Sequence, residues 1–158
     1  MMKSLFNTAM ESSVRSLVVL VKIADAVDLD LLVLYDYFLV HSGDYPGGPS
    51  SLHPPVPHRS GELLVRRDVV RAGLDYARKK GLVEFCFSTD GVRYRATRIA
   101  QPFLHYFTSK YYLVVCDRAR WISEELHKRQ RAELLKLVEE NLDSWGADTA
   151  QFLLVPRQ

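Results

Sequence analysis

Apolar residues recur at helical spacing in several stretches of the chain and alternate in one. Val14, Leu17, Val18, Val21 and Ala24 predict a first helix. It opens near Thr8, because Thr8 and Glu11 have the spacing at which each side chain satisfies an amide at the helix start. Asp28 is placed to cap a second helix, with Leu31, Leu32, Tyr35, Phe38 and Leu39 on its buried side. That helix ends around His41–Gly43. A third helix is predicted over Glu62–Lys80. Its apolar side is Val69, Val70, Gly73, Leu74, Tyr76 and Ala77, with Arg67, Arg71 and Arg78 opposite. Gly81 behind two lysines is a helix stop with cations at the negative end of the dipole.

The period then changes. LVEFCFS and VRYRAT are short β-rich runs around Thr89-Asp90-Gly91, and Asp-Gly is a strong hairpin signal. Alternation puts Val83, Phe85 and Phe87 on one face, and sets Val92, Tyr94 and Ala96 opposite Arg93 and Arg95. Thr97 is predicted to cap a short helix through about Phe107, and Ser109 to start a longer one with Leu113, Val114, Trp121, Ile122 and Leu126. His127–Arg131 (HKRQR) has no apolar residue, so a helix there either crosses solvent or breaks. The pattern resumes at Leu134, Leu135, Leu137, Val138 and Leu142, and Trp145-Gly146 marks its end. The apolar tail Gln151–Val155 is suited to joining a sheet edge, its own or a partner's. Three helices followed by a hairpin is the winged-helix order. The expected fold is therefore α+β, mostly helical: a winged-helix core over residues 1–97 and a helical extension over 98–158.

The segment between the second and third helices breaks the pattern. His41–Gly61 holds four of the eight Gly and five of the seven Pro. Loops in compact domains run about 4–6 residues, and longer ones tend to be functional or disordered. This one also carries Tyr45, Leu52, Val56 and three histidines. Its prolines lower the entropy lost on ordering. Residues 42–61 are read as an ordered loop that packs on its own body or on a partner, with Tyr45, Leu52, His53, His58 and Arg59 as candidate docking residues.

Composition narrows the choice little. The 158 residues suit one domain with a helical extension, and a hydrophobic fraction of 47% permits a core. A net charge of +2 allows nucleic-acid contact without arguing for it. Cys86 and Cys116 sit in apolar runs and read as small hydrophobes rather than a disulfide. The N-terminal MMKSLFNTAMESS lacks the apolar stretch of a signal peptide, so a cytoplasmic location is expected, without membrane contact.

The string HSGDYPGGPSSLHPPVPHRSGELLVRRDVVRAGL, followed by KKGLV and GVRYRAT, resembles the middle component of bacterial ABC three-component systems. These are defence operons built around an SMC-like ATPase, and Lamassu-type anti-phage and anti-plasmid systems resemble them. The likeness covers about residues 5 to 126. It implies a small winged-helix subunit linking the ATPase to a nuclease-type effector, with double-stranded DNA engaged through the complex. It supplies no catalytic residues to carry over.

A search for chemistry agrees with that silence. The chain has no G-x-x-x-x-G-K-[ST], no G-x-S-x-G, no H-E-x-x-H and no dinucleotide fingerprint. No catalysis, cofactor or metal is expected. His41, His53 and His58 match no zinc spacing and are read as hydrogen-bonding a loop short of regular partners. Arg67, Arg71 and Arg78 on the third helix, with Arg93 and Arg95 on the hairpin, are candidate contacts to DNA or to an acidic protein surface. Lys128, Arg129 and Arg131 form a second candidate patch. The cluster Tyr94, Phe103, Tyr106, Phe107, Tyr111 and Tyr112 reads as core with some members left for a partner. A stand-alone DNA-binding regulator, dimerised through Leu134–Leu142, is the alternative function. A ligand sensor built on the histidine loop is a third.

Overall fold

The computed structural model describes residues 8–54 and 59–140. The side chains of Arg59–Glu62, Leu64, Leu135, Val138 and Glu139 lie outside that description, as do His58, Trp145-Gly146 and the tail Gln151–Val155. The order is α1 (Ala9–Ile23), β1 (Val27–Asp28), α2 (Leu29–Val40), α3 (Arg59–Lys79), β2 (Val83–Ser88), β3 (Gly91–Ala96), α4 (Ala100–Leu104), α5 (Lys110–Trp121) and α6 (Arg131–Glu140). The chain is α+β and mostly helical, with one small antiparallel sheet of order β1-β3-β2.

Local signals set most of the element starts. Thr8 accepts from the Glu11 amide and Glu11 reaches back to the Thr8 amide, closing the expected capping box. Asp28 caps α2 through the Leu31 amide, and Ser109 caps α5 through the Tyr112 amide. The helix α3 begins three residues before the expected Glu62. Thr97 does not cap a helix: its hydroxyl donates to the Gly81 carbonyl, fixing the base of the hairpin, and α4 starts only at Ala100. The two residues of β1 escaped the sequence pattern because alternation needs a longer run to register.

The helix α2 lies at the centre. Its residues Leu32 to Val40 are all buried, not just one side, because α1, α3, α5 and the sheet surround it. The helices α1 and α3 cross closely at Gly73, where a Cβ would sit 2.7 Å from the Ser13 nitrogen. The buried serines Ser12, Ser13 and Ser16 make room on the facing side. The C-terminal helices join the same core through Val115, Ala119, Ile122, Leu126 and Leu134. After Trp121 the helix widens into a π-helical turn over Ile122–Leu126, closed by the His127 amide on the Ile122 carbonyl at 2.9 Å. The chain then leaves helix at His127–Gln130, so the HKRQR segment is a break. Cys86 and Cys116 are half-buried free thiols.

Candidate partner interface

The outer face of α3 and the hairpin β2–β3 form one surface. The antiparallel register pairs Phe85 with Tyr94 and Phe87 with Val92, so these four share a face, and Cys86 pairs with Arg93 on the other. Tyr94 is buried against the body, where burial first and then the Asp75 carboxylate push its phenol pKa up. Toward the turn the strands leave the body. Phe87 is 80% exposed and Val92 40% exposed.

The expected cations of this surface divide into two groups. Arg67 is half-buried and paired with Asp30. Arg95 lies 2.8 Å from Glu84, and Arg93 lies 3.8 Å from Asp90. Arg71 and Arg78 are exposed and, among the described residues, make no ion pair; the Arg78 guanidinium sits 4.6 Å from the centre of the Phe85 ring. Tyr76, expected on the apolar side of α3, is instead 40% exposed beneath Lys80, at the rim of a face that buries Leu74 and Ala77.

The second patch divides likewise. Arg131 donates to Asp28 at 2.6 Å and lies 3.5 Å from Asp30. Arg129 lies 3.9 Å from Glu133, and Lys128 is exposed. Arg67 and Arg131, distant in sequence, thus converge on Asp28 and Asp30 at the start of α2. Asp28 at the same time caps that helix.

The loop after α2 docks on the chain's own body. Tyr45 is buried, its ring edge-on to Phe38 and to Trp121 at 5.5 and 5.4 Å between centres. A Cβ at Gly48 would lie 2.3 Å from the Ser42 carbonyl oxygen, so only glycine permits this path. The amides of Leu52 and His53 both donate to the Val40 carbonyl, and Arg118 donates to the Ser50 carbonyl at 2.9 Å. Leu52 packs against the core. The His53 and Tyr111 side chains share a 2.7 Å hydrogen bond with stacked rings. Burial, together with the positive field of Arg15 and Arg66, holds His53 down to about 4. The His53 side chain thus reaches a tyrosine 58 residues away on α5. His41 is buried beside the Tyr37 ring. Arg59 opens α3. Of the expected aromatic cluster, Phe103, Phe107 and Tyr112 pack on the core, while Tyr106 is 87% exposed.

Beneath the loop lies a network that the sequence pattern did not single out. Asp36 accepts from Arg15 Nε at 2.8 Å and from Arg66 Nη1 at 2.5 Å, with all three side chains at most 3% exposed. The cost of burying the carboxylate is outweighed by the two guanidiniums, which together bring its pKa down to about 2. Its one sequence signal is an acid alone within the apolar run LLVLYDYFLV. Buried and ion-paired, the triad joins α1, α2 and α3. Among the described residues, no group of His, Cys, Asp and Glu is arranged to hold a metal, and no helix is long and apolar enough to cross a membrane.

No curated protein and no solved structure matches the chain. A family model, ABC-three component (ABC-3C) system Middle Component 2, matches residues 5–148. With nearly its whole length covered, this chain belongs to the family of middle components of ABC three-component systems.

Proposed function

We propose that the protein is a non-enzymatic accessory subunit of an SMC-like ATPase complex in bacterial antiviral and anti-plasmid defence, bridging the ATPase to an effector nuclease. The observation that carries this reading is the family match over residues 5–148, since a middle component implies companion components. The fold supports it. Three helices, a hairpin and a short strand between the first two helices, in sheet order β1-β3-β2, support the winged-helix reading. Winged helices serve both nucleic acid and protein contacts, so the charge arrangement must decide. Five of the eight candidate cations (Arg67, Arg93, Arg95, Arg129 and Arg131) already face carboxylates within 4 Å, which favours protein docking over a phosphate-tracking groove. DNA is then engaged jointly with the ATPase. Co-expression with the neighbouring operon proteins tests the proposal: a complex with the ATPase that survives size exclusion at moderate salt is expected, and separate elution refutes it.

The stand-alone regulator is favoured by one observation, the exposed Arg71 and Arg78 beside the hairpin. It predicts that Arg71→Glu abolishes binding to the protein's own promoter. Absence of promoter binding by the unaltered chain removes it.

A further inference from the structure

We propose that the outer edge of β2 accepts an extended segment of a partner protein as a fourth strand, and that this segment alternates apolar with acidic side chains. The inference deepens the accessory-subunit reading and rests on it. The order β1-β3-β2 leaves β2 at the sheet margin, and among the described residues no strand pairs with its outer side. In an antiparallel ladder every second residue turns its amide and carbonyl outward. A six-residue edge strand therefore presents a row of unpaired groups. Proteins blunt such edges with lysine, proline or a bulge. The sequence Val-Glu-Phe-Cys-Phe-Ser has neither residue, its pairing with β3 runs without a bulge, and its one charge, Glu84, is taken by Arg95.

The two faces of that edge indicate the chemistry of the incoming strand. On one face Phe85 and Phe87 lie 6.2 Å apart between ring centres, and Phe87 is largely exposed. Alternate residues of the added strand would bury that ring. On the other face Arg93 stands across from the small Cys86, so its half-exposed guanidinium can reach over to the new strand. Arg78, stacked on Phe85, adds a cation that makes no ion pair among the described residues, whereas Arg93 lies 3.8 Å from Asp90. Residues 68–98, which leave out the carboxylate-paired Arg66 and Arg67, contain seven Lys/Arg and four Asp/Glu, a net +3 in a chain whose total is +2. Acidic side chains between the apolar ones complement that field.

Hydrogen–deuterium exchange on the full chain tests this. The probes are a short synthetic peptide of alternating valine and glutamate, its valine–lysine counterpart and a short DNA duplex. The valine–glutamate peptide is expected to slow exchange at residues 83–88, and the other two to leave it unchanged. Phe87→Asp at an exposed position and Arg93→Glu at a half-exposed one, neither in the core, should each weaken the peptide about tenfold. Unchanged exchange at β2 with the valine–glutamate peptide overturns the inference, as does protection by the duplex instead. Protection, in the free chain, of the outward-facing β2 amides that do not bond β3 also overturns it: concentration-dependent protection assigns the edge to a second copy, and concentration-independent protection to the chain's own residues. Failure of the accessory reading shows separately, as loss of co-elution with the ATPase.

Discussion

Asp36→Asn should be the most damaging isosteric change in the core. Asparagine keeps the volume and one acceptor oxygen. It removes the charge that faces Arg15 and Arg66, and turns an amide N–H₂ toward a guanidinium. Two routes give the magnitude. The carboxyl falls from 3.8 to about 2, which corresponds to about 2 kcal/mol between protonation states. That figure leaves out the cost of stranding two buried cations. Breaking a buried ion pair from one side costs about 3–5 kcal/mol, so about 3 kcal/mol is expected here. Urea unfolding followed by circular dichroism at neutral pH measures it. The midpoint should fall by on the order of 1–2 M with an unchanged slope. The sign with pH follows from the lowered carboxyl. Its contribution is present above 3.8 and is lost as pH falls toward about 2, and the variant should lack that acid-side loss. Replacing all three by apolar residues, Arg15→Met with Asp36→Leu and Arg66→Met, should recover stability to within about 1 kcal/mol of the unaltered chain or above it. A loss below about 1 kcal/mol for Asp36→Asn would show that water reaches the carboxylate, and would refute the low-dielectric account.

Gly73→Ala should lower stability by about 1–3 kcal/mol, read as a fall in Tm, because the new methyl meets the α1 backbone rather than a movable side chain. Ala24→Gly should raise stability by about 1 kcal/mol in the same assay, since Ala24 ends α1 at φ 57° in the left-handed region. The His53 imidazole is held down to about 4 against an unfolded 6.5, so the unfolded chain binds the extra proton first. Its stabilising contribution is complete above 6.5 and is lost as pH falls to about 4. His53→Gln should flatten Tm across that interval, and a slope equal to that of the unaltered chain would dismiss the assignment.

Features set by residues close in sequence were legible in it. Thr8 with Glu11, Asp28, Ser109, Gly81 and the Asp90-Gly91 turn each act within a few positions, so spacing alone locates them. The hairpin face of Phe85 and Phe87 was also legible, but not the exposure of Phe87, which depends on how far the strands project past the body. The Arg15–Asp36–Arg66 triad was hidden because its members stand 21 and 30 residues apart and share no period. The charged face of α3 was read by type correctly and by availability incorrectly for Arg67, whose carboxylate partner lies 37 residues away on α2. Tyr45 carried a similar ambiguity, since a buried aromatic and a docking aromatic look alike until the loop's path is fixed by Gly48 and Trp121.

The seat made by Asp28 and Asp30 has a mechanical consequence. It holds Arg131 across 103 residues of chain and Arg67 across 37. A pull on the far end of α6 therefore loads the start of α2 before it reaches the hairpin. Because Asp28 also holds the first turn of α2, tension that draws Arg131 away tugs on the carboxylate that secures that turn. Force applied at α6 would be felt first at the central helix, and only afterwards at the hairpin.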